Sequence, residues 1–138
     1  MGFENLLHIN YKLKVLNCKL GQKPTPNIMK IESVFKRDFT KKSFEMEKIT
    51  DAILKAMISV NKGDVKVAEE ISFEIYNTLL ERKKESVNYV PNVEEIQDLV
   101  EEKLMQSQYL DVAKAYILYR NKQAEKRQRD IFEKRVAL

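Results

Sequence analysis

The feature that most constrains the fold is an apolar period of about 3.6 residues, which recurs in four segments of the chain. Segments with this period form amphipathic helices, and they begin near residues 47, 64, 92 and 108. Asp64 and Asn92 occupy the positions that cap the second and third helices, and Glu95 follows Asn92 at the capping-box spacing. Gly63 suits a left-handed residue at the end of the first helix. Four helices with one apolar face each predict a bundle.

Two short β candidates precede the helices. The first is Ile28 to Phe35, and the second is Ser43-Phe44, with a turn through Asp38 to Lys42 between them. A two-stranded hairpin is unstable alone and must pack on other elements. The chain is therefore predicted to be mostly α with a small β-hairpin, an α+β fold in which two short N-terminal strands pack on a four-helix bundle.

The segment before the hairpin differs from the rest of the chain. Ile9 to Val15 alternates like a half-buried strand, and Pro24 to Asn27 then reads as a linker. A chain of 138 residues has the length and apolar content for one core. We predict an N-terminal extension or linker over residues 1–27, a main domain over 28–122, and a charged helical tail or connector over 123–138.

Composition and charge exclude several classes of function. With 25 basic and 21 acidic residues, the net charge of +4 suits anionic ligands but is too small for a dedicated nucleic-acid-binding protein. The apolar runs fall short of the roughly 18 residues that a membrane span needs, and Met1 to Asn10 lacks the pattern of a signal peptide. His8 and Cys18 are single, so no metal site is expected. These features predict a cytoplasmic protein without a membrane or nucleic-acid partner.

Basic residues cluster around the predicted hairpin and the start of the first helix. Lys36 and Arg37 follow the first strand, and Lys48 lies in the first helical turn. A tight turn can direct Arg37 and Lys48 towards one anion, and helix N-termini favour negative charge. Arginine adds a planar fork that matches phosphate oxygens. The pattern indicates a triphosphate site, although a solvated basic hairpin explains the same charges.

Three separated blocks resemble one known family. Lys36-Arg37-Asp38 is followed by Phe44 and by Lys48-Ile49, then by Val93 to Ile96, and finally by Tyr109 to Arg120. These blocks resemble the ATP-cone, a small nucleotide-sensing domain, from about Met29 to Lys122. The amino-acid sequence of the last block is most similar to that of the N-terminal regulatory cones of anaerobic or cobalamin-dependent ribonucleotide reductases.

The resemblance implies a set of ligand contacts. Lys36, Arg37 and Lys48, with Lys122 on the closing helix, would contact the phosphates of ATP or dATP. Val93 and Gln97, at the start of the third helix, would lie against the adenine and ribose. Magnesium is expected to accompany the nucleotide.

The resemblance also implies a role without catalysis in this chain. In such enzymes ATP favours an active assembly and dATP an inactive one, so the expected function is allosteric control of a ribonucleotide reductase through its oligomer state. The expected partners are a catalytic domain or subunit of the reductase and further copies of the cone. The radical-site cysteines of a reductase are missing, so no residue is assigned to catalysis.

Two alternatives stay open at this point. One is a stand-alone regulator of the transcriptional repressor type, but that family begins with a four-cysteine zinc ribbon and this chain has one cysteine. The other is an interaction module that has lost nucleotide binding. Its best argument is Phe39, where the family usually has the glycine that a left-handed turn favours.

Two further groups of residues have ordinary structural interpretations. The acidic residues from Glu94 to Glu102 are predicted to lie mostly on the solvent face of the third helix. Tyr109, Tyr116 and Tyr119 recur at helical spacing, which predicts packing in or around the core.

Overall fold

The computed structural model describes residues 29–137, in which two strands precede four helices. The strands are β1 (Ser33–Phe35) and β2 (Lys41–Ser43), and the helices are α1 (Met46–Val60), α2 (Val65–Glu85), α3 (Val93–Gln106) and α4 (Leu110–Val136). The α+β prediction is confirmed. The predictions for residues 1–27, among them the strand-like Ile9 to Val15 and the roles of His8 and Cys18, lie outside the described residues.

The four helices form a closed bundle in which each helix packs against two others. α1 contacts α2 and α4, and α3 also contacts α2 and α4. Their apolar faces meet in one core, whose most completely buried large side chains include Ile53, Ile75, Leu79, Leu104 and Val112. Burial of this apolar surface is the main favourable contribution to folding.

The helix ends agree with the predicted caps, with one change. Asp64 accepts a hydrogen bond from the Val67 amide at 2.9 Å, and Asn92 accepts one from the Glu95 amide, also at 2.9 Å. The residue that ends α1 in the left-handed conformation is Asn61, with φ of 54°. Asparagine tolerates this conformation better than other non-glycine residues. Gly63 also has a positive φ, of 81°, and a β-carbon there would lie 2.6 Å from the sulfur of Met57.

The two strands of the hairpin have other bounds than the sequence pattern predicts: the first is shorter, and the second begins earlier. β1 begins only at Ser33, and β2 ends at Ser43, so Phe44, which the pattern predicts to belong to the second strand, lies just outside the observed one. The pairing is antiparallel, with Val34 opposite Lys42. The turn occupies residues 36–40 instead of 38–42, because its backbone hydrogen bonds join Lys36 to Phe39 and Thr40.

The hairpin is attached to the bundle through the start of α3. The Phe35 amide donates to the carbonyl of buried Pro91 at 2.9 Å, and Phe35 forms a parallel bridge with Asn92. Val34 is buried, and Phe44 is partly buried beside Tyr76, their ring centroids 5.7 Å apart. This attachment places the turn next to the first residues of α3.

Candidate functional site

The predicted phosphate-binding Arg37 lies against the first two turns of α3. Its Nε is 2.6 Å from Oε1 of Glu94, and its Nη2 donates to Oε1 of Gln97 at 3.0 Å. The attachment of β1 to Pro91 brings these groups together across about 60 residues of sequence. Two of the six predicted ligand residues, Arg37 and Gln97, are therefore in direct contact.

Glu94 joins Arg37 to the closing helix. Its second oxygen, Oε2, lies 2.7 Å from Nη2 of Arg120, whose Nη1 is 2.8 Å from Oδ1 of Asp98 and 2.7 Å from Oε1 of Glu101. We call Arg37, Glu94, Asp98, Glu101 and Arg120 the α3 network. It connects the hairpin turn, α3 and α4 through charge-assisted hydrogen bonds, which are stronger than neutral ones.

The acidic residues of the third helix combine solvent exposure with ion pairing. The side chains of Glu94 and Asp98 are 50% and 70% exposed, in line with the predicted solvent face, whereas those of Glu95 and Glu101 are 21% and 25% exposed. All four bind arginine side chains, which come from three other parts of the chain: Arg37, Arg82 and Arg120. The sequence contains both the acidic helix and the arginines. The spacing of residues along the chain cannot show which carboxylate pairs with which arginine.

The network changes the electrostatics of its members. Hydrogen bonding from Arg120, with a further contribution from Arg37, lowers the pKa of Glu94 despite partial desolvation. Burial raises the pKa of Tyr116, beneath the network, to about 12. Glu94 is therefore a carboxylate and Tyr116 a neutral phenol at neutral pH.

The turn keeps its shape with Phe39 in a left-handed conformation. Phe39 has φ of 65°, its amide donates to the Lys36 carbonyl at 2.9 Å, and the Lys36 amide donates to the Thr40 carbonyl at 2.8 Å. Asp38 accepts from both the amide and the hydroxyl of Thr40, which lowers the pKa of Asp38. The Phe39 side chain is 87% exposed. The conformation that glycine would adopt freely is thus retained at a cost of about 1–2 kcal/mol.

Two further predicted phosphate-binding residues, Lys48 and Lys122, lie towards the end of the bundle that holds Arg120. Lys62, just after α1, forms an ion pair with Asp111 in the first turn of α4, so these two packed helices run antiparallel. At 1.5 Å per residue, Lys48 is about 18 Å along α1 from its last residue, Val60, and Lys122 is about 17 Å along α4 from Asp111. Both lysines therefore lie towards the end of the α1–α4 pair that is opposite to the Lys62–Asp111 contact, as does Arg120.

These lysines differ in their surroundings. Lys48 is exposed, and its Nζ lies 3.3 Å from Oε2 of Glu45, the residue that precedes α1. Lys122 is exposed on α4, about 200° around the helix from Arg120, so it is directed away from the α3 network. Lys36 is half-buried, and within residues 29–137 neither Lys36 nor Lys122 forms an ion pair.

The predicted base contacts begin the third helix. Val93 is the first residue of α3 and is half-buried, and Gln97 lies one turn later. Val93 therefore offers an apolar surface and Gln97 an amide, next to the turn that carries Arg37. Gln97 already accepts a hydrogen bond from Arg37, which leaves its amide nitrogen as a donor.

A second cluster, between α2 and α3, was not predicted. Both Arg82 and the Tyr89 hydroxyl donate to Glu95, and desolvation together with this carboxylate raises the pKa of Tyr89 to about 12. Beside it lies an open cavity of about 350 Å³ whose polar lining is mostly acidic, with Glu94, Glu95, Asp98 and Glu102. None of the four predicted phosphate-binding cations lines this cavity, and its negative charge disfavours a phosphate there.

Neither a membrane span nor a metal cluster is found in the described part of the chain. Among residues 29–137 no helix is both long and apolar enough to cross a bilayer. The same residues contain no group of three or more histidine, cysteine or acidic side chains that could hold a metal ion.

Comparison with known proteins gives one family and several relatives. Residues 32–125 match the sequence model of the ATP cone domain. A Vitamin B12-dependent ribonucleoside-diphosphate reductase of Thermoplasma acidophilum is 46% identical over 97 residues, which are 67% of this chain and 12% of the relative. An anaerobic ribonucleoside-triphosphate reductase of Haemophilus influenzae is 39% identical over 88 residues, 64% of this chain and 12% of the relative.

A third relative is more distant. The ribonucleoside-diphosphate reductase subunit alpha of Chlamydia pneumoniae is 33% identical over 108 residues, 73% of this chain and 10% of the relative. The chain thus spans only about a tenth of the length of the reductases it matches.

Proposed function

The chain belongs to the ATP-cone family, and on that premise we propose that it binds ATP or dATP as an allosteric ligand and regulates a ribonucleotide reductase. The proposed ligand residues are those that the resemblance implies. Lys36, Arg37, Lys48 and Lys122 bind the phosphates, and Val93 and Gln97 bind the adenosine.

One observation carries the proposal: the hairpin turn, with Lys36 and Arg37, is held against the start of α3, where Gln97 touches Arg37. An arginine fork and a half-buried lysine next to a small apolar and amide surface fit a ligand with phosphates at one end and a base at the other. The left-handed Phe39 also supports the proposal, since it adopts the conformation that glycine favours and two backbone hydrogen bonds close the turn around it.

The proposed partner and the proposed mode of regulation are based on the relatives. The three named reductases support a reductase catalytic domain or subunit as the partner. We propose that ATP and dATP shift this partner between assemblies of different oligomer state, with cone-to-cone contacts in one of them. Such control requires that the two assemblies bind the two nucleotides with different affinities. Magnesium would accompany the phosphates, whose oxygens are its preferred ligands.

The test is a calorimetric titration of the chain with ATP, dATP and GTP in the presence of magnesium, while light scattering follows its mass. Micromolar binding of the adenine nucleotides that GTP does not match is the expected result. A mass increase specific to dATP is expected if the cone itself forms the contacts between copies. A chain that binds none of the three nucleotides would contradict the proposal.

Substitutions locate the site. Lys36→Ala and Arg37→Ala are each expected to weaken ATP binding by about 1–3 kcal/mol, because each removes a charge-assisted hydrogen bond to a phosphate. Lys66→Ala is the matched control, since Lys66 is an exposed cation on α2 whose ion pair within residues 29–137 is a long one, with Glu70 at 4.0 Å. Unchanged affinity in both hairpin variants would contradict the assignment of the phosphate contacts.

An interaction module without nucleotide binding is the second candidate. Its supporting observation is the 87% exposed ring of Phe39 at the tip of the hairpin, since exposed aromatic residues are enriched at protein interfaces. The same titration separates the two candidates, because this module would bind no nucleotide. The stand-alone repressor has no comparable support in the described residues.

A further inference from the structure

The Glu94 carboxylate has both oxygens engaged by arginines from different elements. Oε1 lies 2.6 Å from Nε of Arg37 in the hairpin turn, and Oε2 lies 2.7 Å from Nη2 of Arg120 on α4. Arg37 is thus not a free cation in this structure. Its charge is already matched by a carboxylate, which uses the same guanidinium donors that a phosphate oxygen would need.

This arrangement opposes a phosphate in two ways. A ligand that approaches Arg37 meets an ion pair with little net charge, and the nearby carboxylate repels it. The pair is also accessible, since the side chains of Arg37 and Glu94 are 37% and 50% exposed. An anion from solution can therefore reach Arg37 and exchange with Glu94 without opening the core.

The rest of the α3 network accommodates the exchange. When Glu94 leaves Arg37, its other oxygen remains on Arg120, which also holds Asp98 and Glu101. The link between α3 and α4 therefore persists, while the side-chain link between the hairpin turn and Glu94 is lost. The backbone hydrogen bond from Phe35 to Pro91 still attaches the strand.

We propose that Glu94 is a built-in competitor for the phosphate: the nucleotide takes the place of Glu94 on Arg37, and Glu94 thereby lowers the affinity of the chain for its ligand. This inference rests on the proposed function, in which Arg37 binds a phosphate. It adds a residue that sets the affinity without touching the ligand, and it makes the turn's contact with α3 depend on nucleotide occupancy.

The experiment is a calorimetric titration of the chain with magnesium ATP and, separately, with inorganic tripolyphosphate, which lacks the base. Three proteins are compared: the unchanged chain, Glu94→Gln and Asp98→Asn. Asp98 is the matched control because it lies one helical turn from Glu94 and binds the same Arg120, whereas the hydrogen bonds of Arg37 go to Glu94 and Gln97. Both substitutions remove one negative charge from the α3 network.

Glu94→Gln is expected to bind both ligands roughly threefold to tenfold more tightly, the scale of one partly exposed ion pair. Asp98→Asn is expected to change the affinity by less than about twofold, and added salt is expected to reduce the gain of Glu94→Gln. Thermal unfolding checks the fold, and Glu94→Asp, which keeps the charge but shortens the side chain, gives a second test with a smaller expected gain.

Several results would overturn the inference. An equal or weaker affinity of Glu94→Gln would show that Glu94 does not compete with the phosphate. An equal gain in affinity in Asp98→Asn would show that the loss of one negative charge from the α3 network, and not the loss of the contact with Arg37, causes the gain. If the unchanged chain binds ATP but Glu94→Gln shows no specific gain in affinity, the proposed function stands and this inference fails. If neither the unchanged chain nor Glu94→Gln binds ATP, both fail.

Discussion

The apolar interior of the bundle and the α3 network hold the same helices together by different means. The interior joins all four helices through side chains such as Leu79 and Leu104, which have no exposed surface. The α3 network joins the turn, α3 and α4 through a few charged groups that remain partly exposed, with Arg120 at 18%. The interior depends on shape and apolar character, whereas the network depends on the identity of single residues. Stability should therefore be concentrated in the first region and ligand control in the second.

The largest expected effect comes from a cavity in the interior. Leu79→Ala should lower the free energy of unfolding by about 2–5 kcal/mol, because it removes buried apolar surface and leaves a void. Urea unfolding followed by circular dichroism measures this, and Leu118→Ala, at a 58% exposed position on α4, should change it little. Similar losses in both variants would mean that the interior is not the dominant source of stability.

Disruption of the α3 network should have the second-largest effect on stability. Arg120→Ala removes the partner of three carboxylates, which are then left close together, and should cost about 1.5–3 kcal/mol. The same urea experiment applies, with Arg129→Ala as a control on the exposed part of α4. A loss as large as that of Leu79→Ala would remove the contrast between the two regions.

Relief of strain in the turn should have a smaller effect, with the opposite sign. Phe39→Gly should raise the free energy of unfolding by about 1 kcal/mol, because glycine adopts the φ of 65° freely. Phe39→Ala keeps the β-carbon and hence the strain, so it should show no such gain in thermal or urea unfolding. Equal behaviour of the two variants would assign the effect to loss of the ring.

The acid response of Glu94 should be the smallest of these effects. Arg120 and Arg37 lower its pKa from an ordinary value near 4.5. Its contribution to stability is therefore present above about pH 4.5 and is lost as the pH falls through the lowered value. Between about pH 5 and pH 3, Glu94→Gln should lose less stability than the unchanged chain. Parallel pH profiles of the two proteins would show that the pair contributes nothing to folding.

The sequence predicts the interior well because its signal is local. Residues such as Ile53, Ile75 and Leu104 recur with the helical period, and that period is sufficient to identify one face of each helix. The caps at Asp64 and Asn92 follow from interactions within three residues. The start of β2 and the turn could not be placed as well, since a three-residue strand carries little pattern.

The α3 network could not be predicted in the same way. Arg37 and Glu94 are 57 residues apart, and Glu94 and Arg120 are 26 apart. Their pairing depends on how the hairpin, α3 and α4 are arranged in space, which no local period encodes. The sequence did identify Arg37 as a candidate ligand through its resemblance to a family, but it gave no sign that Glu94 would hold it.

The length of α4 gives the last consequence. This helix of 27 residues runs unbroken from Leu110 to Val136, so the boundary predicted at residue 122 falls inside it and stays a prediction. Beyond Arg120 it extends for about 24 Å, at 1.5 Å per residue. By geometry alone, a tilt of about 10° at Arg120 corresponds to a shift of about 4 Å at Val136 over that length. The position of the C-terminal end of α4 is therefore more sensitive to the orientation of the helix than the position of the α3 network is.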